Sequence, residues 1–310
     1  MAVMRTSDHP ELLDTPLRKI FFLAVEAVRA EYPSWINIWD TNRAFEDDLR
    51  MAEFGFIPQV AEGEAVQFQR ALEGGTKRYE PLEFAGGFLI TQKMRETDQH
   101  GIMARMTEAL RRSFRHLFEV ESYRILNNSA VTTGARNLGF DGLPLLSTAH
   151  TMLKPGVANQ ANRPTVDVTL SQLAIETAVV AFHDWTDETG KPGFFSPDMA
   201  IVDNTTQFLA AKLFKNATRY DTANREENWI KQGPDSNGVS SFLPTRYFTA
   251  ANQWYLLSGK AQHDLQLAVR IQPQFETFIE FATGNFQAKG RASLISSFGR
   301  WFGVYGSRGF

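Results

Sequence analysis

"DQHGIMARMTEALRRSFRHLFEVESYRIL", residues 98–126, is the strongest helical pattern in the chain. Ile102, Met106, Leu110, Phe114 and Leu117 recur at helical steps along one face, while Arg105, Glu108, Arg112, Arg115 and Glu119 fall largely elsewhere. Glu108 precedes Arg112 by four positions, the favourable order for a pair on one helix face. At 1.5 Å per residue the segment predicts a rod about 40 Å long, near the diameter of a small domain and able to serve as the backbone of a fold. Asn127, Asn128 and the small residues up to Gly134 end it.

Upstream, residues 15–32 place Leu17, Ile20, Phe21, Leu23, Ala24, Val25 and Val28 at helical spacing, which predicts an amphipathic N-terminal helix. A connector anchored by Trp35, Ile36, Ile38 and Trp39 follows, then an acidic patch and Gly55. From residue 56 to 94 the pattern changes. Val66 and Phe68 alternate with polar residues, "EGGTKR" at 73–78 carries a turn signal, and Tyr79, Leu82, Phe84, Phe88 and Ile90 form a return arm. The expectation is a long hairpin with Gly74 and Gly75 near its tip and Lys77 and Arg78 beside them. Two strands with so few apolar side chains around the tip need something to lie on.

Downstream, Thr169 and Gln172 stand in capping-box spacing ahead of Leu170, Leu173, Ala174, Ala178, Phe182 and Trp185, a helix expected to stop at Gly190 with Pro192 beyond. Residues 199–202 predict a strand, Asp203 to Thr205 a cap, and the residues after them a short helix; polar residues 216–238 predict an exposed loop. "QWYLLSG", "LQLAVRIQP", "FETFIEFATG" and "ASLISSFGRWFGVYG" complete the chain as strands rich in aromatic and β-branched residues.

Composition narrows the function. With 310 residues, 43% of them hydrophobic, the chain can bury a substantial core. A formal net charge of -3 argues against a dedicated nucleic-acid binder, so any such contact is local. The absence of cysteine excludes disulfides and thiolate metal sites, in keeping with a reducing compartment. Acidic residues near the N-terminus replace the apolar centre of a signal peptide, and no apolar run is long enough to span a bilayer.

Asp141, Ser147 and His150 lie within ten positions and raise the question of a serine hydrolase, but Ser147 is outside any Gly-x-Ser-x-Gly elbow, and Asp141-Gly142 before Pro144 is turn chemistry. "HDWTDE" sets His183 against Asp187 and Asp184 against Glu188 at a helical step of four, yet matches no metal-binding motif. His9, His100, His116 and His263 are scattered, and no metal or cofactor is expected. Gly299, Gly303, Gly306 and Gly309 read as bends around a terminal strand, not as a phosphate loop. Without a catalytic set, a long arm, a long helix and an aromatic-rich terminal sheet point to self-association.

Taken in order, the hairpin around "EGGTKRYE", the helix from Asp98, "DGLPLLSTAH" with "NQANRP" and a Leu-Ser helix start, then "PDMAIVD", "QWYLLSG", "RIQPQFE" and "GVYGSRG", the chain resembles the major capsid proteins of tailed bacteriophages, in particular Mu-type head subunits. The resemblance covers residue 15 to the end and rests on order and spacing. It implies the α+β Hong Kong 97-type capsid fold: an N-terminal arm (1–50), an extended hairpin loop (51–92), a peripheral domain with a spine helix (93–149 and about 266–295), and an axial domain (150–265 and about 296–310). It further implies a non-enzymatic subunit of an icosahedral shell, assembled as hexamers and pentamers in the bacterial cytoplasm and ending in the virion around non-specifically held double-stranded DNA. A portal, possible decoration proteins and a separate scaffolding protein are the implied partners, since the residues before 15 are too few for a scaffolding segment. No membrane partner is implied. Gly74, Gly75, Lys77 and Arg78 are the candidate subunit-interface residues. Lysine-asparagine crosslinking, known in some relatives, is not carried over to Lys77. An encapsulin-like nanocompartment shell and a Ser147 hydrolase remain as alternatives.

Overall fold

The computed structural model describes residues 10–22, 30–98, 101–218, 227–232 and 238–309. Helix α1 (Pro10–Phe22) opens the chain, and a 3-10 turn at Tyr32–Ser34 leads to β1 (Asn37–Asp40). Then come β2 (Glu46–Ala52), β3 (Leu72–Tyr79), β4 (Leu82–Ile90), the short α2 (Gln92–Glu96) and the long α3 (Ile102–Asn127). The second half holds α4 (Gln172–Asp184), β5 (Pro197–Asp203), α5 (Gln207–Lys215), β6 (Ser241–Thr245), β7 (Trp254–Ser258), β8 (Leu265–Ile279), β9 (Phe286–Phe298) and β10 (Val304–Ser307). Residues 23–29 of the helix expected over 15–32 lie outside the described residues, as do His9, His100 and parts of the loop expected over 216–238.

Three sheets organise these strands. The first runs in the order β1-β8-β9-β4, the second β10-β7-β5-β6, and β2 pairs with β3 in a two-stranded ribbon. Helix α3 lies against the first sheet. Its start is held by the Asp98 carboxylate, which accepts from Ile102 N at 3.0 Å and Met103 N at 3.3 Å. The buried face is Met103, Thr107, Phe114 and Phe118, rotated from the expected one, and Met106 is left exposed. Glu119, expected on a polar face, is buried because its carboxylate accepts from Glu31 N (2.7 Å) and Tyr32 N (3.1 Å), giving the chain entering β1 its partners. The Phe114 ring fills the space over Gly290 of β9, where a Cβ would lie 2.3 Å from the ring.

The second sheet is covered by α4 and α5 around Ile175, Phe182, Leu213, Trp254 and Leu256. Both sheets meet near Tyr255, whose hydroxyl donates to Leu126 O at the end of α3 and lies 2.8 Å from Ser129 Oγ.

Several local expectations are corrected. The connector through Ile38 and Trp39 is strand β1, parallel to β8. Helix α4 is capped by Ser171, which accepts from Ala174 N, and not by Thr169; it ends at Asp184, six residues short of Gly190. Strand β4 pairs with β9 in the first sheet and is no arm of the hairpin. The largest change concerns "EGGTKR". These residues form the body of β3, paired with Glu46–Ala52, so Gly74, Gly75, Lys77 and Arg78 lie in a strand and not at a tip. Gly74 reflects close approach: a Cβ there would stand 3.0 Å from both the Arg50 and Leu153 side chains.

Candidate subunit interface

The ribbon lies against the 138–153 segment and the end of β9, where Lys77 reaches Leu138 O and Phe298 O and Arg50 reaches Thr151 O. Its strands are polar because only alternate residues face the body, and Lys77 and Tyr79 of β3 are the buried ones. On the outer face Arg78 forms a two-pronged pair with Asp47 of β2, at 2.7 and 2.8 Å, and its guanidinium lies 4.0 Å from the Phe45 ring centroid. The hydrogen bond from Arg78 holds Asp47 below the usual carboxylate range.

Between β2 and β3, residues 53–71 form no helix or strand. This segment, not residues 73–78, is the open end of the hairpin. Phe54, Phe56, Ile57, Val66 and Phe68 are exposed along it, Ile57 to 91% and Phe68 to 96%. So many large apolar side chains on one unsupported loop mark an interaction surface, because water contact with them is unfavourable unless another surface covers them.

Buried charge fastens the ribbon to the body along its length. Arg50 of β2 reaches Glu188, with Nε 2.8 Å from Oε1 and Nη2 2.6 Å from Oε2, and its Nη2 also donates to Thr151 O at 2.7 Å. Both side chains are 7% exposed. Leu153 N donates to Glu188 at 2.8 Å, completing the carboxylate's set. On β3, Lys77 Nζ donates to the carbonyls of Leu138 and Phe298 and lies 4.5 Å from the Phe298 ring centroid. Arg50 was missed by sequence reasoning, Glu188 was expected at a helix end beside Asp184 and is instead buried, and the Phe54-x-Phe56-Ile57 spacing was the signal for the exposed loop.

The hydrolase residues come together only in part. His150 Nδ1 is 2.6 Å from Asp141 Oδ2, and its Nε2 is 3.1 Å from Asn162 Oδ1. Ser147 does not complete the set: its hydroxyl accepts from Ala149 N, and its backbone N–H donates to Asn162 Oδ1. His150 is wholly buried and stacks on Trp301 at 4.5 Å, which leaves no room for a substrate over it. Asn162 also donates to Leu145 O and Val304 O, so the cluster ties the 138–162 segment to β10.

In "HDWTDE" the helix ends at Asp184, and the expected His183-Asp187 helical pair does not form. Asp187 instead closes a turn, accepting from Thr189 N, Thr189 Oγ1 and Lys191 N at 2.7–2.9 Å. Burial opposes its charge, but these hydrogen bonds win and keep it below its ordinary range. Among the described residues no group of three or more His, Asp or Glu could hold a metal ion, and no helix is long and apolar enough to cross a membrane.

The fold is similar to the capsid of Ralstonia phage GP4 (TM-score 0.60, 13% identity, covering 93% of each chain) and to the mature capsid of bacteriophage PhiM1 (TM-score 0.57, 9% identity, covering 92% of this chain and 89% of that one). It is also similar to the procapsid of bacteriophage JBD30 (TM-score 0.55, 13% identity, 99% of this chain and 77% of that one). No curated protein matches the chain. A family model described as phage capsid protein matches residues 74–306, well over half of the length. Its strands, its spine helix and that match agree: the chain belongs to the phage capsid protein family and has the Hong Kong 97-type capsid fold.

Proposed function

We propose that this chain builds the icosahedral head of a tailed bacteriophage or prophage as hexamers and pentamers, with the 53–71 loop of each copy laid on a neighbouring copy. The observation that carries the reading is that loop, which displays exposed aromatic and aliphatic side chains from a ribbon fastened to the body by buried ion pairing. A loop so placed gains its stabilisation between subunits, and many modest contacts add up in a closed shell.

On this reading β2, the 53–71 loop and β3 are the extended arm, which spans residues 46–79 and not the expected 51–92. Helix α3 and the first sheet form the peripheral domain, and α4, α5 and the second sheet the axial domain. A separate scaffolding protein, a portal and decoration proteins are the shell's partners, and packaged double-stranded DNA is held without sequence preference, in keeping with a net charge of only -3. Assembly takes place in the host cytoplasm and the product is the virion. The subunit is structural, without catalysis, and Ser147 serves the turn it closes. Nothing in the structure favours a nanocompartment over a phage head.

The test is removal of residues 54–68, which leaves a four-residue connection between β2 and β3, a length suited to a hairpin. The trimmed chain should stay folded by circular dichroism and sediment as small species where the parent forms shells. Shells of normal size from the trimmed chain would overturn the role given to the loop.

A further inference from the structure

Beside the buried Tyr79 ring, which packs on Ala268 and Ile295, two buried cationic side chains join the ribbon to the body, one on each strand, and the two differ in chemistry. At the first, Arg50 meets a carboxylate, Glu188, in a two-pronged pair. At the second, the Lys77 ammonium is met by main-chain carbonyls and by the faces of Phe298 and Tyr79, with Nζ 4.5 and 5.8 Å from the ring centroids. Lys77 is 7% exposed. A guanidinium paired with a carboxylate keeps its charge when buried, whereas an ammonium buried against carbonyl dipoles and rings loses hydration that these partners only partly replace.

We propose that Arg50 and Lys77 form a two-point clamp setting the direction in which the ribbon leaves the body, and that the Lys77 point tightens when Lys77 gives up its proton. The clamp belongs to the chain itself and does not depend on the loop being an assembly element.

The groups that face Lys77 set the direction of the response. Asp48 comes from β2, Asp141 from the turn that supplies the Leu138 carbonyl, Asp264 from the segment ahead of β8, and Arg124 from α3; Tyr79 lies next along β3. The three carboxylates act through space to favour the ammonium and Arg124 disfavours it, but burial outweighs them and pushes Lys77 from 10.5 down to about 7. An undocked ribbon returns the side chain to water and to its ordinary value. Between those two values the docked ribbon binds fewer protons than the undocked one, so docking strengthens as pH rises from about 7 towards 10.5. Below that window both forms are charged, and the cost of burying the ammonium persists at a constant level.

The carbonyls place the clamp at a junction. Leu138 O and Asp141 lie on one turn, whose Phe140 N donates to Gly299 O, and Phe298 O is the neighbouring carbonyl at the end of β9. Asp141 also holds His150. Movement of Lys77 therefore bears directly on the turn that bonds Gly299, in the link between β9 of the first sheet and β10 of the second.

The experiment is hydrogen exchange with mass spectrometry on the full chain between pH 7.5 and 9, following peptides over residues 46–52 and 72–79, with protection corrected for the intrinsic pH dependence of exchange. In the parent, protection of the ribbon should rise by about tenfold per pH unit, the signature of one proton released on docking. Lys77→Met, neutral and of similar length, should show no slope, and Lys77→Arg, charged throughout, should stay at low protection. Glu188→Gln, which weakens the other point, should lower protection at every pH and leave the slope unchanged. A flat profile in the parent, or the same slope in Lys77→Met, would overturn the proposal. Should Lys77→Met fail to fold, loss of the slope in Glu188→Gln would overturn it equally, because the response would then belong to the Arg50 point.

Discussion

Glu188 carries more of the structure than its place in an acidic run suggests. It accepts two bonds from Arg50 and one from Leu153 N while almost wholly buried. Removing it strands a buried guanidinium, so Glu188→Ala should destabilise the chain by about 3–5 kcal/mol in denaturant unfolding. Arg50→Met combined with Glu188→Leu should recover most of that loss, because neither charge then remains in the site. A similar contrast separates Ser147 from Asn162. Asn162 accepts from Ser147 N and His150 and donates to two carbonyls, so Asn162→Ala should cost about 2–3 kcal/mol. Ser147→Ala loses one exposed bond to Ala149 N and should shift stability by less than about 1 kcal/mol. These partners were hidden in the sequence for a physical reason: Arg50 and Glu188 are 138 positions apart, and their pairing depends on how the ribbon folds back on the body.

Helix α3 is the element whose existence was most legible, because its 26 residues repeat the helical period many times and no long-range pairing is needed to form it. Its exact buried face was less so. Thr107 tolerates burial because its hydroxyl bonds Met103 O one turn back, and Glu119 is inside because it receives backbone N–H groups from the chain ahead of β1, a partner that no periodicity shows. The ribbon was misread for a different reason. Its strands are short of apolar residues and two glycines interrupt β3, so local patterning favours a turn where packing against Arg50 and Leu153 demands a glycine in a strand. Contact between α3 and the first sheet is testable at Gly290, where any Cβ intrudes on the Phe114 ring. Gly290→Val should destabilise by about 1–3 kcal/mol through overpacking, and Phe114→Ala by about 3–5 kcal/mol through the cavity it leaves, both read from denaturant midpoints. Together they should be far from additive, since each change alters the space the other occupies.

At the scale of the molecule, two four-stranded sheets and their helices supply the cores, while the loop at the end of the docked ribbon leaves apolar side chains uncovered. That division of labour gives the subunit packed cores of its own and a loop surface left for another surface to cover. Replacing Ile57 and Phe68 by serine should therefore leave the melting temperature of the unassembled subunit within a degree or two, while raising the concentration needed for assembly by at least tenfold in light scattering. The most direct measurement is negative-stain electron microscopy of the purified full chain, alone and co-expressed with a scaffolding protein, alongside size-exclusion chromatography. Closed shells, or hexameric and pentameric rings, are the predicted result. A uniform monomer or dimer under both conditions would contradict the shell-subunit account.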